Sequence, residues 1–246
     1  RPLINVRSKD ILYNIAGITN CPAFEATNCL REFSKTPIPL TQYGEAFDQV
    51  QRHLFRGDTY LLNLTFPTPV DTSMTLREIY HCSCAQYQLY FFDRFTVFSP
   101  ECFVKIANNR ISSYPMKGTI DATIPDATQQ ILEDEKELAE HTTVVDLIRN
   151  DLSMVAYDIR LDRFRYIERI KTHERELLQV SSEISGTLPN DYHCYIGTIL
   201  HTLLPAGSVT GAPKKKTVEI IKRVEITPRG YFTGIFGYFD GHSLDS

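Results

Sequence analysis

The sequence of 246 residues contains no tryptophan, three methionines and six cysteines. It also has no window of roughly 18 uninterrupted apolar residues, the length a membrane helix needs. A formal charge of −4 leaves no basic surplus to follow a phosphate backbone, so nucleic acid is not an expected partner. The first residues, Arg1 to Asp10, mix polar and apolar side chains and hold no signal-peptide core. Cys21, Cys29, Cys82, Cys84, Cys102 and Cys194 are too few to build a disulfide scaffold at this length. Cys82-Ser83-Cys84 is a C-x-C pair with no second pair, which does not make a zinc site. Reduced thiols and a cytoplasmic location are therefore expected. The sequon Asn63-Leu64-Thr65 reads as chance without a secretory signal. The missing tryptophan excludes nothing by itself. What remains is a slightly acidic chain, 42% hydrophobic, with enough apolar content for one large domain or two small ones.

Local patterns divide the chain. Ala46, Phe47, Val50 and Leu54 have helical spacing over residues 42–57, and Gly57-Asp58 ends that helix. Tyr60 to Phe66 is rich in β-formers, and Leu76 to Cys84 suits a short helix. A meander follows, with strands over 87–92 and 95–98 about a turn at Asp93-Arg94. Asn108-Asn109 then signals a hairpin between 102–107 and 110–114, because Asn tolerates positive φ. Thr128 to Leu152 contains neither Pro nor Gly and predicts one long helix. Further strands are expected over 157–170 and 177–188, and helices over 191–204 and 215–224. From Gly230 to Gly241 glycines alternate with aromatics, which suits a buried strand approached closely by another backbone or a ligand.

Three places carry chemistry. In Tyr114-Pro115-Met116-Lys117-Gly118-Thr119, a lysine sits between a φ-locked proline and a permissive glycine, on a turn expected at a strand end. Ammonium groups held in partly desolvated sites serve as amine nucleophiles or bases; the alternative is an ordinary surface lysine. The pattern also puts Glu101 and Lys117 at the ends of neighbouring strands of one antiparallel sheet, where they can share a site. On the long helix Glu133, Glu137, Glu140, Val144, Leu147 and Asp151 advance by three or four residues, so carboxylates and apolar groups share a face. That face offers metal ligands or is a solvated acidic stripe. Finally, Pro205-Ala206-Gly207-Ser208-Val209-Thr210-Gly211-Ala212-Pro213-Lys214 leads small residues and hydroxyls into a helix. Such a loop presents N–H groups to an anion or is a purely structural turn. It does not have the P-loop spacing, so a carboxylate is as suitable a ligand as a phosphate.

Taken in order, Ser99-Pro100-Glu101, Pro115 to Thr119, Glu140-His141, Asp146-Leu147-Ile148-Arg149-Asn150-Asp151-Leu152, Gly207 to Lys214 and Gly234-Ile235-Phe236-Gly237-Tyr238 resemble one family. It is that of the chorismate-utilising enzymes: anthranilate synthase component I, aminodeoxychorismate synthase component I, and the isochorismate and salicylate synthases. The likeness runs from about Asp58 to the C-terminus. It implies an α+β fold of large antiparallel sheets with helices packed outside, with residues 1–57 as an N-terminal segment and 58–246 as the catalytic domain, or one continuous domain.

The resemblance implies roles residue by residue. Lys117 distinguishes the branch, since anthranilate synthases typically carry alanine there while a P-[IM]-K-G-T turn looks like aminodeoxychorismate synthase. Lys117 is expected to attack C2 of chorismate, with Glu101 as general acid/base for the departing hydroxyl. Ammonia from a separate glutamine amidotransferase subunit would then give 4-amino-4-deoxychorismate. Glu140 matches a carboxylate holding Mg²⁺, Thr119, Gly207, Ser208, Thr210 and Gly211 match substrate-cradling positions, and Tyr238 matches a substrate-contacting tyrosine. Asp146, Arg149, Asn150 and Asp151 are expected to be scaffold. Anthranilate synthase, an isochorismate or salicylate synthase, and a non-catalytic chorismate-binding protein are the alternatives. Two departures stand out. Gln179 replaces a histidine common in the family. The family pattern also continues beyond Ser246 with an arginine, a G-x-G-I turn and a further glutamate. The sequence is thus expected to be C-terminally incomplete, part of a longer reading frame, and inactive if it is the whole of it.

Overall fold

Residues in left-handed conformation decide where the chain reverses. Ala16 and Gly17, Phe92 and Asp93, and Asn108 and Asn109 all take positive φ, and each pair turns a hairpin. The computed structural model describes residues 10–21, 32–172 and 175–246. The chain forms two units, one of Arg1–Ser99 with Val209–Gly234, the other of Pro100–Ser208 with Ile235–Ser246. The expected boundary after Gly57 lies inside the first of these.

In chain order the first unit begins with β1 (Ile11–Ile15), β2 (Ile18–Thr19), β3 (Phe33–Lys35), α1 (Leu40–Phe55), β4 (Leu61–Leu62), β5 (Val70–Thr72), α2 (Leu76–Cys82), β6 (Tyr87–Phe91) and β7 (Phe95–Ser99). The second continues with β8 (Lys105–Ala107), β9 (Arg110–Ser113), β10 (Met116–Asp121), α3 (Ala127–Glu133), α4 (Glu135–Ser153), β11 (Tyr157–Lys171), β12 (Glu176–Thr187) and α5 (Ile196–Leu203). A one-turn α6 (Gly207–Thr210) leads the chain back to the first unit for β13 (Gly211–Ala212) and α7 (Lys214–Val224), and β14 (Tyr238–Phe239) and β15 (Leu244–Asp245) return to the second.

The first unit has two apolar centres. Ala46 and Val50 of α1 meet Ile220 and Val224 of α7, flanked by Leu54, Leu62, Leu64 and Phe66. Leu12 and Tyr90, from the antiparallel sheet β2-β1-β6-β7, pack with Tyr80 of α2. Burying four such aliphatic groups is worth several kcal/mol, at roughly 1.5–3 kcal/mol for each large side chain.

In the second unit, every described strand pairing is antiparallel. Ser113 pairs with Ile184 and Met116 with Ser181, a constant register, so β9 and β10 form one strand along the same edge of β12. Pro115 interrupts it without breaking the ladder, since its carbonyl still accepts the Ser182 N–H at 3.1 Å. The fold is therefore α+β, with α3 and α4 lying on the sheet and Ile131, Val144, Val145, Ile148 and Leu152 buried.

Several expectations need correction. The long helix breaks at Asp134, which leaves helical φ/ψ and accepts the Glu137 N–H at 2.9 Å, starting α4 as an N-cap. Tyr60–Phe66 contributes only the two residues of β4. The glycine-rich 230–241 segment is a 3-10 turn and irregular chain with only Tyr238–Phe239 as strand. Gly230 and Gly241 take positive φ there, which strand geometry does not allow. The anticipated close approach does occur at Gly237, where an added Cβ would lie 2.6 Å from the Asp245 carbonyl.

Candidate active site

Lys117 lies within β10, not on a turn at the end of a strand. It pairs with Val180, on the row of β12 residues that includes Ser182 and faces α4. The ladder shifts register between Lys117 and Thr119, and Gly118 between them has φ +80°, so the lysine stands at a β-bulge. Bulges re-aim side chains, and this one keeps its glycine for two reasons. Its φ is left-handed, and a Cβ on it would lie 3.0 Å from Glu137 Oε2 and 3.5 Å from Ile131 Cδ1. Glu137, in the first turn of α4, thus places a carboxylate against the peptide that follows Lys117.

Glu101 arrives differently from expectation. It lies between β7 and β8, which belong to different sheets, and β8 pairs with the β9–β10 strand along β9, not along the β10 stretch that holds Lys117. The two residues still meet electrostatically. Protein atoms crowded round the Glu101 carboxyl push its pKa up to about 7, and the Lys117 charge opposes that rise. Glu101 nevertheless keeps an exposed surface, so water on its open side tempers the shift. The direction is upward, toward a carboxyl that can give or take a proton near neutrality.

Glu140 lies one turn beyond Glu137 on α4, half-exposed, with Lys136 Nζ at 3.7 Å. The pair gives a hard, all-oxygen donor set of two carboxylates. Among the described residues no three His, Cys, Asp or Glu side chains gather as a metal group. Such a set fits Mg²⁺, which takes one or two carboxylates and completes its shell from water and substrate oxygens. Glu137 was visible in the acidic stripe but had no assigned role; its contact with the bulge depends on tertiary packing.

Thr119 is exposed and pairs with Gln179, the position that departs from the family pattern. Gly207 donates its N–H to Asp151 Oδ2 at 3.3 Å, and Asp151 is buried, so the scaffold expectation for Asp151 has a contact behind it. Ser208 follows in the same one-turn helix. Thr210 and Gly211 belong to the first unit. The Thr210 carbonyl accepts from the Asn63 N–H at 3.1 Å, and Gly211 has φ +123°. A Cβ on Gly211 would fall 1.9 Å from the Leu61 carbonyl, so no other residue fits. Arg229 fastens this stretch, donating to Val209 O at 2.7 Å and Asn63 O at 2.6 Å while paired with buried Glu225. Tyr238 sits on β14 at the far edge of the second unit's sheet. Three strand spacings, about 14 Å, separate its strand from the β9–β10 line, so the sheet does not bring Tyr238 to Lys117.

His141, quoted in the sequence only as part of a motif, is 1% exposed beneath the bulge. Its Nε2 lies 2.6 Å from Ser182 Oγ. Burial lowers its pKa to about 4, assisted by the nearby Arg165 charge and opposed by the Lys117 carbonyl, so the imidazole is neutral.

The chorismate binding enzyme family matches residues 18–246. This chain belongs to that family. An uncharacterised PabA-like protein of Haemophilus influenzae is 51% identical over 245 residues, covering 100% of this chain and 74% of its own length. Aminodeoxychorismate synthase component 1 of Bacillus subtilis is 30% identical over 84% of this chain and 46% of its own. Among solved structures, anthranilate synthase component I of Streptococcus pneumoniae superposes with a TM-score of 0.68 at 23% identity. That match covers 87% of this chain and 49% of the other, and it speaks for the fold. The chain thus spans between about half and three quarters of these relatives. No described helix is long and apolar enough to cross a membrane.

Proposed function

We propose that this member of the family aminates chorismate to 4-amino-4-deoxychorismate, on the path to p-aminobenzoate and folate. The observation that carries the reading is Lys117 at a bulge, beside a Glu101 whose pKa is raised to about 7. The family spans several chemistries, and an amine nucleophile is what the amination branch needs.

A proton passed from the Lys117 ammonium to the Glu101 carboxylate puts both groups in their working forms. Lys117 Nζ then bonds to C2 of the ring, the double bonds shift, and the C4–O bond breaks. Glu101 returns the proton to the departing hydroxyl, which leaves as water; hydroxide alone is a poor leaving group. Ammonia next bonds to C4 as the C2–N bond breaks, and Lys117 is released as the amine. Covalent catalysis divides one difficult substitution into two easier ones. Mg²⁺, when bound, would neutralise the ring carboxylate, and Glu140 with Glu137 would hold it. Gly207 and Ser208 are assigned to cradling substrate, and Thr119 to contacting it. Ammonia would come from a separate glutamine amidotransferase subunit, in the cytoplasm.

The test is mass-spectrometric analysis of products from chorismate, Mg²⁺ and ammonium. Aminodeoxychorismate from the native protein, absent with Lys117→Ala, is expected. Pyruvate release would move the protein to the anthranilate or salicylate branch, and tight chorismate binding without turnover would make it a binding protein.

A further inference from the structure

Two irregular strands flank one stretch of β12. β10 shifts register between Lys117 and Thr119, opposite Val180 and Gln179, and β11 shifts between Arg163 and Tyr166, opposite Glu183 and Ser181. Inside the second irregularity Arg165 has φ +49°, left-handed backbone that is unfavourable for a residue with a side chain. Its N–H is turned onto Ser182 Oγ at 3.0 Å, and its side chain leaves the strand for the helix layer. There the guanidinium forks onto two carbonyls, Nη1 donating to Leu132 at 2.7 Å and Nη2 to Ile131 at 2.8 Å. Both carbonyls lie in the last turn of α3, beyond the reach of that helix's own amides, and a positive charge suits that end of the helix dipole.

These contacts close a circuit around the bulge. Ile131, whose carbonyl is held, brings its Cδ1 to 3.5 Å from where a Cβ on Gly118 would stand. Ser182, which holds the Arg165 backbone, donates its own N–H to the Pro115 carbonyl, two residues before Lys117. The chain then leaves α3 through Asp134, and the first turn of α4 carries Glu137, whose Oε2 lies 3.0 Å from the same Gly118 position. The left-handed backbone and a buried Nε without a hydrogen bond both cost stability, and they offset much of what the two hydrogen bonds return. What the fork supplies is geometry: two parallel N–H groups fix where α3 ends and how the chain turns into α4.

We propose that Arg165 is a positioning residue: its fork sets the joint between α3 and α4, which seats Ile131 and Glu137 against the bulge and so holds Lys117 in one direction. This rests on the reading of Lys117 given above. An arginine that only capped α3 would stabilise the fold without steadying the bulge.

The variant Arg165→Met keeps most of the stem and removes the fork. Hydrogen exchange followed by peptide mass spectrometry should quicken about tenfold over residues 116–121 and 131–138, and keep the native rate over the β8–β9 hairpin at 105–112. Native rates over 116–121, or an equal rise over the hairpin, would overturn the proposal. In turnover of chorismate with Mg²⁺ and ammonium, measured well below the melting temperature, kcat should fall about 10–100-fold. KM should change little, since the lysine acts in the bond-making step. Guanidinium ion at millimolar concentration should restore part of the lost kcat to Arg165→Met and leave the native protein unaffected, because the free ion can refill the place on the two carbonyls. A loss that follows Tm alone and resists guanidinium would mark a helix cap and sink the idea. If Arg165→Met fails to fold, Arg165→Lys, which keeps the charge without the fork, decides by the same readings. Native protein without Lys117-dependent amination would defeat the functional reading alone, because hydrogen exchange needs no turnover.

Discussion

At Glu101 a raised pKa and an exposed surface, the two demands on the acid proposed above, are met by one location. Crowding raises the pKa to about 7 and the Lys117 charge resists the rise. A carboxyl whose folded pKa lies above its unfolded value weakens folding as it ionises. The penalty is absent below the unfolded pKa, grows as pH rises, and is complete above the folded value. Glu101→Gln should therefore match the native Tm at pH 4 and exceed it at pH 8, as read by thermal melts. In the proposed mechanism the pair starts as Glu101 carboxylate and Lys117 ammonium, so kcat should rise as pH climbs through about 7, and Glu101→Gln should lose that rise together with most of the activity. A rise that persists in Glu101→Gln would assign it to another group. Sequence pairing of Glu101 with Lys117 rested on a supposed shared sheet edge. Their proximity holds through electrostatics, but the strands on either side of Glu101 lie in separate sheets. No local pattern reports which sheet a strand will join.

Elements were legible wherever a local signal governs them. The helical spacing of Ala46, Val50 and Leu54 gives α1, and Asn108-Asn109 gives the β8–β9 turn through positive φ at both residues. Illegible were the places where one residue competes with its neighbours' pattern. Asp134 lies within a run of good helix formers, yet its carboxylate satisfies an amide of the next turn better than a helix interior would. Asp134→Ala removes that cap and should cost about 1 kcal/mol, a drop of a few degrees in Tm, with α3 and α4 tending to merge. Unchanged stability would mean the cap is replaced by water. The bulge at Lys117 was hidden for a related reason: a glycine in a strand announces irregularity, but the register change shows only against β12.

Across the whole molecule, order in sequence and order in space part company. Val209–Gly234 returns to the first unit, where α7 supplies Ile220 and Val224 to the centre begun by α1. Periodicity finds α7 readily and says nothing about its partner. A fragment of residues 1–99 should therefore show weak far-UV dichroism and no cooperative melt, while covalently appending residues 209–234 should restore a cooperative transition. A sharp melt from residues 1–99 alone would show that the α2 centre suffices.

β10, which carries Lys117, has one described partner, β12; a proline precedes it, and a bulge with a left-handed glycine lies within it. These are devices that discourage a strand from recruiting another chain along its length. The role proposed for Lys117 needs such an unzipped margin, and an unzipped margin invites aggregation. The irregularities beside Lys117 also guard the strand from unwanted addition, so smoothing the bulge for stability would put solubility at risk together with the proposed chemistry.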